Sequence, residues 1–453
     1  MKKLALLGTF IVVFAVVFTG TVWAGGSKDS IKGKKYVLGS WWAEYDVNTV
    51  KPTDEEGELQ LERRKKLLKD HDFSFQEKAI SHFDNMMETV TTSIMAGKPA
   101  AQAFWLIPQW AVTLYRQGFL APLNEAKSVD LTTSTFIAYK QVAYNQDVAE
   151  IFTFNGKQYA LGVGYGDSQH TNGIFYNKRL FKEAGLDPDL PYDMQKAGTW
   201  TWDNFLDICK KLTRDRNNTG QIDTYALPAG PSGEILEQLV FSNNANYVAK
   251  DASGKFINAS GTPEFLEALH FARRLFNENI MMPYPEGSAW DWHFSAFVEG
   301  KVAMIMDPSW RTWQLNPDNM VDDWGFVFCP KGPKAAKYRM PNDENVLVIP
   351  STYKSAEVEN ILSALNQWFI PVTNNWKVVM YLACRDARAV DETHAMIRTP
   401  GYATFRMHTL IPGLNTGDIA WQMWWYDGDP AQLVESVSMN WNSLINEANV
   451  VKK

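Results

Sequence analysis

Asp215, Asn217, Thr219, Gln221 and Asp223 alternate around Gly220 in the stretch Asp215-Arg216-Asn217-Asn218-Thr219-Gly220-Gln221-Ile222-Asp223. Hard oxygens at alternate positions can wrap one cation while a glycine makes the sharp turn, so the stretch matches the opening of a calcium loop. Two positions depart from that pattern: Thr219 stands where an acid is usual, and Ala226 where a bidentate glutamate would complete the sphere. The competing reading is a polar turn in which Asn and Asp side chains bond their own backbone. A second set of residues is aromatic. The chain carries 18 Trp, 17 Tyr and 25 Phe, and a buried indole wants a partner for its N–H, so Trp is a poor filler. Trp41-Trp42 ends one expected strand and Trp105 another. Trp310 follows Asp307-Pro308-Ser309, Trp313 lies three residues on, and Trp421, Trp424 and Trp425 cluster near the C-terminus. Flat rings at strand ends suit the apolar C–H face of a pyranose, with planar polar side chains bonding its hydroxyl rim. Strand carboxyl ends are where ligands sit in open α/β sheets.

Covalent chemistry finds little support. The seven histidines, His71, His82, His170, His270, His293, His394 and His408, include no HExxH pair. Gly230-Pro231-Ser232-Gly233 has the wrong spacing for a nucleophile elbow, and Gly162-Val163-Gly164-Tyr165-Gly166 lacks the dinucleotide-binding spacing. Among 51 Asp and Glu, sequence cannot single out a catalytic carboxylate pair. Cys209, Cys329 and Cys384 are too few and too far apart for a disulfide framework, and read as small buried apolar residues. The net charge of −7, with no long basic run, makes nucleic acid a poor partner. Joined to the family resemblance that other residues carry, this makes binding rather than catalysis the expectation.

The elements that position these residues show in the hydrophobic pattern. Lys2-Lys3, an apolar run from Leu4 to Phe18, and Val22-Trp23-Ala24 form an export signal, with cleavage expected after Ala24. No cysteine adjoins that site, which argues against a lipoprotein and for a periplasmic protein. Lys35 to Gly39 reads as a strand, and Glu55 to Asp70 as a charged helix. Phe83, Met87, Val90 and Ile94 share one helical face, ended by Gly97 and Pro99. Ala103 to Ile107 reads as a buried strand. Asn177, Thr201, Thr262, Ser355 and Asp429 each begin a helix, Thr262 and Asp429 with proline next. Strand–helix alternation of this kind implies parallel sheets covered by helices, and the length allows two domains.

Four blocks carry a resemblance. They are Phe154-Asn155-Gly156-Lys157-Gln158-Tyr159-Ala160-Leu161, Gly173 to Leu186, Thr199 to Thr213 with its Thr-Trp-Thr-Trp start, and Phe297 to Met304 followed by Asp307-Pro308-Ser309-Trp310. In order and spacing the chain resembles the extracellular solute-binding proteins of bacterial ABC importers, the maltose-binding-like family 1, from about Tyr36 to the last helix. The resemblance implies an α/β fold of two lobes joined by several hinge crossings with a ligand cleft between. Crossings are expected near 162–166, 342–346 and 400–406. Residues 25–164 plus 345–400 would form lobe one, and 165–344 plus 401–453 lobe two.

It further implies a monomer that captures a sugar or oligosaccharide in the periplasm and delivers it to the permease subunits of an importer. No cofactor is required, with a structural Ca²⁺ as the one cation the sequence offers. Carried over residue by residue, the resemblance makes Trp41, Trp42, Trp105, Asp167 and Trp310 ligand-facing. Glu44, Gln109, Glu234, Arg311 and Asp418 are polar rim candidates, and Trp424 joins from the C-terminal cluster. One departure is local: the family often has Pro-Asp before the strand near Ala103, where this chain has Pro99-Ala100-Ala101-Gln102. A polyol, a sugar acid or a glycerol phosphodiester are alternative solutes, the anions calling for an arginine in the cleft. A secreted glycan-active enzyme is the alternative of another class.

Overall fold

The structure, a computed structural model, describes residues 31–42, 44–126, 131, 145–162, 171–229, 234–289, 291–343, 345–370, 372, 376–399, 401–425 and 428–450. The expected export signal, Asp167, most of the first crossing and the Gly230–Gly233 stretch lie outside these residues. Ten strands position the site. They are β1 (Lys35–Ser40), β2 (Ser74–Ala79), β3 (Ala103–Leu106), β4 (Leu161–Gly162), β5 (Asn172–Asn177), β6 (Met304–Pro308), β7 (Trp324–Val327), β8 (Met340–Asn342), β9 (Val346–Val348) and β10 (Ala403–Phe405).

The first lobe is built on a five-stranded sheet of order β2-β1-β3-β9-β4. β1 runs parallel to β2 and β3, while β9 is antiparallel to β3 and β4. β3 and β9 are buried throughout because both faces are covered there, whereas the edge strand β2 is mostly polar. Tyr36, Leu38, Ala103, Trp105 and Leu347 enter one core, and Phe104, Leu106, Val346 and Val348 enter another on the opposite face. Gly39 is required by close approach: a Cβ there would lie 2.9 Å from Ile80 and 3.0 Å from Phe104.

The second lobe centres on a three-stranded sheet, β6-β5-β7, antiparallel in both pairings. This corrects the expectation of parallel sheets, which holds in the first lobe for β2-β1-β3. Gly173 lets β5 and β7 close, since a Cβ would meet the Phe326 ring at 2.6 Å. Helix caps follow the sequence signals: Asn177 Oδ1 accepts from the Leu180 N–H at 3.1 Å, and Asp429 Oδ1 from those of Ala431 and Gln432. The single large core of this lobe also holds Cys209, Cys329 and Cys384, all buried and none in a disulfide.

One boundary differs from expectation. Residues 376–399, placed by sequence with the first lobe, pack on the second. Cys384, Ala389, Val390 and Ile397 join its core, the Thr393 hydroxyl donates to the Phe326 carbonyl, and Arg385 donates to the Met320 carbonyl. The helix Ser355–Trp368 stays with the first lobe through Val358, Ile361, Leu362 and Leu365.

Among the described residues, the second and third crossings lie side by side. β8 pairs in parallel with β10, and Thr171 bridges Asn342. Beneath them Arg406 pairs with Glu237 at 2.9 Å and with Asp343 at 2.5 Å, and His408 Nε2 lies 3.2 Å from Glu237. Burial opposes the Arg406 charge, but Asp343 and Glu237 outweigh it and raise its pKa; burial holds that of His408 below its ordinary value. Among the described residues no helix is long and apolar enough to cross a membrane.

Candidate functional site

Strand register puts the aromatic residues at one end of each sheet. β1 aligns Leu38 with Ala103 and Gly39 with Phe104, so Trp41 stands just past β1 at the level of Leu106. Leu106 pairs with Val346, which pairs with Gly162. That end is therefore where the chain leaves for the second lobe. In the second sheet the matching end is Asn172 opposite Pro308, beside the Thr171–Asn342 bridge, and the Ser309 N–H donates to the Thr171 carbonyl. Trp310 is the next residue. The two sets thus flank the crossings.

On the first lobe six rings form a continuous row. Trp110 packs on Phe83 at 4.8 Å and on Trp41 at 5.4 Å, Trp41 lies edge-on to Trp42 at 4.5 Å, and Trp42 reaches Trp105 at 6.4 Å. Trp105 then meets Phe369 at 5.9 Å. Trp41 and Trp110 pack on the core of one sheet face, and Trp105 and Phe369 on the other. Trp42 connects them around the sheet end. Trp42 is 46 % and Phe83 47 % exposed, whereas Trp105 is buried and presents little surface. Such a contiguous exposed aromatic surface needs an occupant.

Sequence reasoning missed Phe83, Trp110 and Phe369. Phe83 was expected on the buried helix face; Met86, Val90 and Ile94 occupy it instead, and Phe83 turns out toward Trp41. Pro108 at the first position of the helix Pro108–Arg116 was the available signal for Trp110, because it sets that helix directly on the end of β3. Gln109 is half-buried in the same first turn, and Glu44 is exposed beyond β1.

On the second lobe Trp310 is half-buried and stands outside the lobe's core. Arg311, expected as a rim donor, is instead 3 % exposed and committed to its own lobe. Its Nε donates to Asp307 Oδ2 at 3.0 Å and its Nη1 to Gln314 Oε1 at 2.7 Å, and its guanidinium lies against the Phe294 and Trp310 rings. Glu234, first residue of the helix Glu234–Ser242, approaches His293 and Asp307, their polar atoms all within 4.8 Å of one another. Asn172, 1 % exposed, has neither amide atom partnered, the mark of a polar group awaiting a ligand or water.

The C-terminal candidates do not join this site. Trp424 is buried in the second core, 5.9 Å from the Phe276 ring, because Ile419, Ala420, Met423 and Trp424 form the inward face of the helix Gly417–Trp425. Asp418 begins that helix and accepts from Asn415 Nδ2. In the polar loop, Asp215 accepts from the Thr219 and Gly220 N–H groups, and Asp223 from those of Arg216 and Asn217. Backbone hydrogen bonds from Thr219 are the first cause holding the Asp215 carboxyl below its usual range. Asp223 is also held low, its bonds with Arg216 outweighing desolvation. The carboxylates brace the turn itself, and the Arg216 guanidinium lies beside Asp223, the arrangement a polar turn calls for.

Comparison with known proteins agrees with this architecture. Residues 73–365 match the family described as bacterial extracellular solute-binding protein. A binding protein of Brucella abortus (strain 2308) is 22 % identical over 302 residues, 65 % of either chain, so the match spans about two thirds of that relative's length. Among solved structures, the cyclic alpha-maltosyl-1,6-maltose binding protein of Arthrobacter globiformis superposes with a TM-score of 0.64 at 16 % identity, over 91 % of this chain and 99 % of the other. UgpB of Mycobacterium tuberculosis, in complex with glycerophosphocholine, gives 0.62 at 16 %, over 86 % and 95 %. With two lobes and a family match over most of its length, the chain belongs to the bacterial extracellular solute-binding protein family.

Proposed function

We propose that this protein captures a neutral sugar or oligosaccharide between its lobes, as a periplasmic monomer released from its export signal after Ala24, and delivers it to the permease of an ABC importer. The observation that carries this reading is the placement of aromatic residues at the sheet ends that flank the crossings, with Trp42 and Phe83 exposed in one lobe and Trp310 half-buried in the other. Closure is a hinge motion at 162–166, 342–346 and 400–406, favoured because a solute touching both lobes binds the closed state more tightly. Asn172 is the polar group best placed to take a hydroxyl. A neutral solute is favoured over a sugar acid or a phosphodiester such as the one held by UgpB, because Arg311 already serves Asp307 and Gln314.

A thermal-shift screen of neutral oligosaccharides, polyols and glycerophosphodiesters tests this. A bound sugar at 100-fold its Kd adds about 2.7 kcal/mol of stability. Trp310→Ala should remove about 1–3 kcal/mol of that sugar's binding energy, the range for ring stacking on aromatics. Shifts confined to phosphodiesters would overturn the neutral reading, and conversion of the sugar to product would make the protein an enzyme. Calcium is not needed in this scheme. Because Asp215 and Asp223 are already bonded within their loop, EDTA should leave Tm unchanged, and a Tm rise on adding Ca²⁺ that Asp215→Ala abolishes would restore the calcium loop.

A further inference from the structure

The support beneath Trp310 has more order than a ring-bearing turn needs. Neighbouring side chains on a one-turn helix point apart, so Arg311 can lie over the ring of Trp310, 4.3 Å from its centroid, only if it is tethered from elsewhere. Asp307 and Gln314 supply the tethers, and the Phe294 ring, 4.5 Å away, backs the guanidinium plane. Asp307 is itself held from its other side. It is 1 % exposed, and His293 Nε2 lies 3.2 Å and 3.1 Å from its two oxygens. Glu234 completes the group. Glu234 and Asp307 bring two negative charges and Arg311 one positive, so a protonated His293 makes the group neutral.

We propose that His293, Asp307 and Arg311 are positioning residues for Trp310, passing the charge state of His293 to the ring that receives the solute. The inference rests on the reading of Trp310 as solute-facing. Protonated His293 fixes Asp307, Asp307 fixes the guanidinium plane, and the plane covers one face of the indole and leaves the other for a sugar. Loss of the proton removes the charge that holds Asp307 from its other side, so Asp307 and the guanidinium plane it orients shift on the ring. Burial disfavours the imidazolium, but the hydrogen bond and charge of Asp307 outweigh it, with Glu234 helping and Arg311 opposing, so its pKa stands above the ordinary histidine value. The contribution is therefore complete below about pH 6.5 and is lost as pH rises through the raised value.

The test needs no solute. The protein is labelled with fluorotryptophan, the Trp310 fluorine line is assigned with Trp310→Phe, and spectra are taken from about pH 5.5 to about pH 9. The Trp310 line should titrate with a midpoint above about 6.5, and His293→Gln should flatten that response. Arg311→Lys keeps a charge for Asp307 but lacks the planar face. It should displace the line and abolish its pH response while His293 still titrates in its own ring signals. A flat Trp310 line in the unmodified sequence overturns the proposal. So does a pH response that survives Arg311→Lys, which would show the imidazole acting on the ring directly through space. Since no sugar is present, failure here leaves carbohydrate capture standing, and failure of the sugar screen leaves this coupling standing.

Discussion

Replacing Trp424 with alanine is expected to lower unfolding stability by about 3–5 kcal/mol, the range for deleting a core aromatic, and to leave carbohydrate affinity unchanged. Trp424 is 4 % exposed and packs beside Phe276, Ala420 and Met423 in the second core. Its indole N–H has no partner, so the loss is one of packed volume rather than of a hydrogen bond. Trp310 should behave in the opposite way, because it lies outside the core. Urea unfolding of the two alanine variants, paired with sugar titrations, separates the roles. A Trp424→Ala protein of normal stability that no longer binds would return Trp424 to the cleft.

The second large effect is expected at the crossings. Arg406→Met should cost about 3–5 kcal/mol, because it leaves Glu237 and Asp343 buried without their counter-charge. Their side chains are 5 % and 12 % exposed. In the native protein burial is the first cause holding the pKa of His408 low, so it does not share the load that Arg406 carries. Protonating the stranded carboxylates removes the penalty, so the gap between variant and native stability should narrow as pH falls toward about 4, the carboxylate range. Denaturant titrations at two pH values check this. A pH-independent gap would mean that the loss comes from packing, and that the charges matter little.

Sequence disclosed the local features well. β1, the helix Phe83–Met95 with Gly97 after it, and the Asn177 and Asp429 caps depend on residues close in the chain, and there pattern and structure agree. The strand-end placement of Trp41, Trp42 and Trp310 was legible for the same reason: a strand end is a local property. Phe83 was misplaced because its spacing matches a buried face, and only the distant Trp41 and Trp110 draw it outward. The pairing of β5 with β6 and β7 was hidden too, since apolar runs do not encode partner or direction. Residues 376–399 show the same limit. Their apolar residues announce burial without saying in which core, and Thr393 meeting the Phe326 carbonyl decides it. Arg311 looked like a rim donor because Asp307, four residues back, becomes its partner only once β6 is in place.

The three cysteines have a practical consequence for following this protein in solution. Cys209 and Cys329 are 0 % and Cys384 4 % exposed, and burial pushes the Cys329 thiol up to about 12 and raises that of Cys209 well above its ordinary value. A thiolate-seeking reagent therefore finds no target in the native state. All three sulfurs lie in one lobe, and the described part of the other lobe carries none. Alkylation kinetics thus form a clock that runs only when the second lobe opens, while tryptophan emission senses both. Comparing the two under denaturant would show whether the lobes melt together or in turn, without introducing a single label.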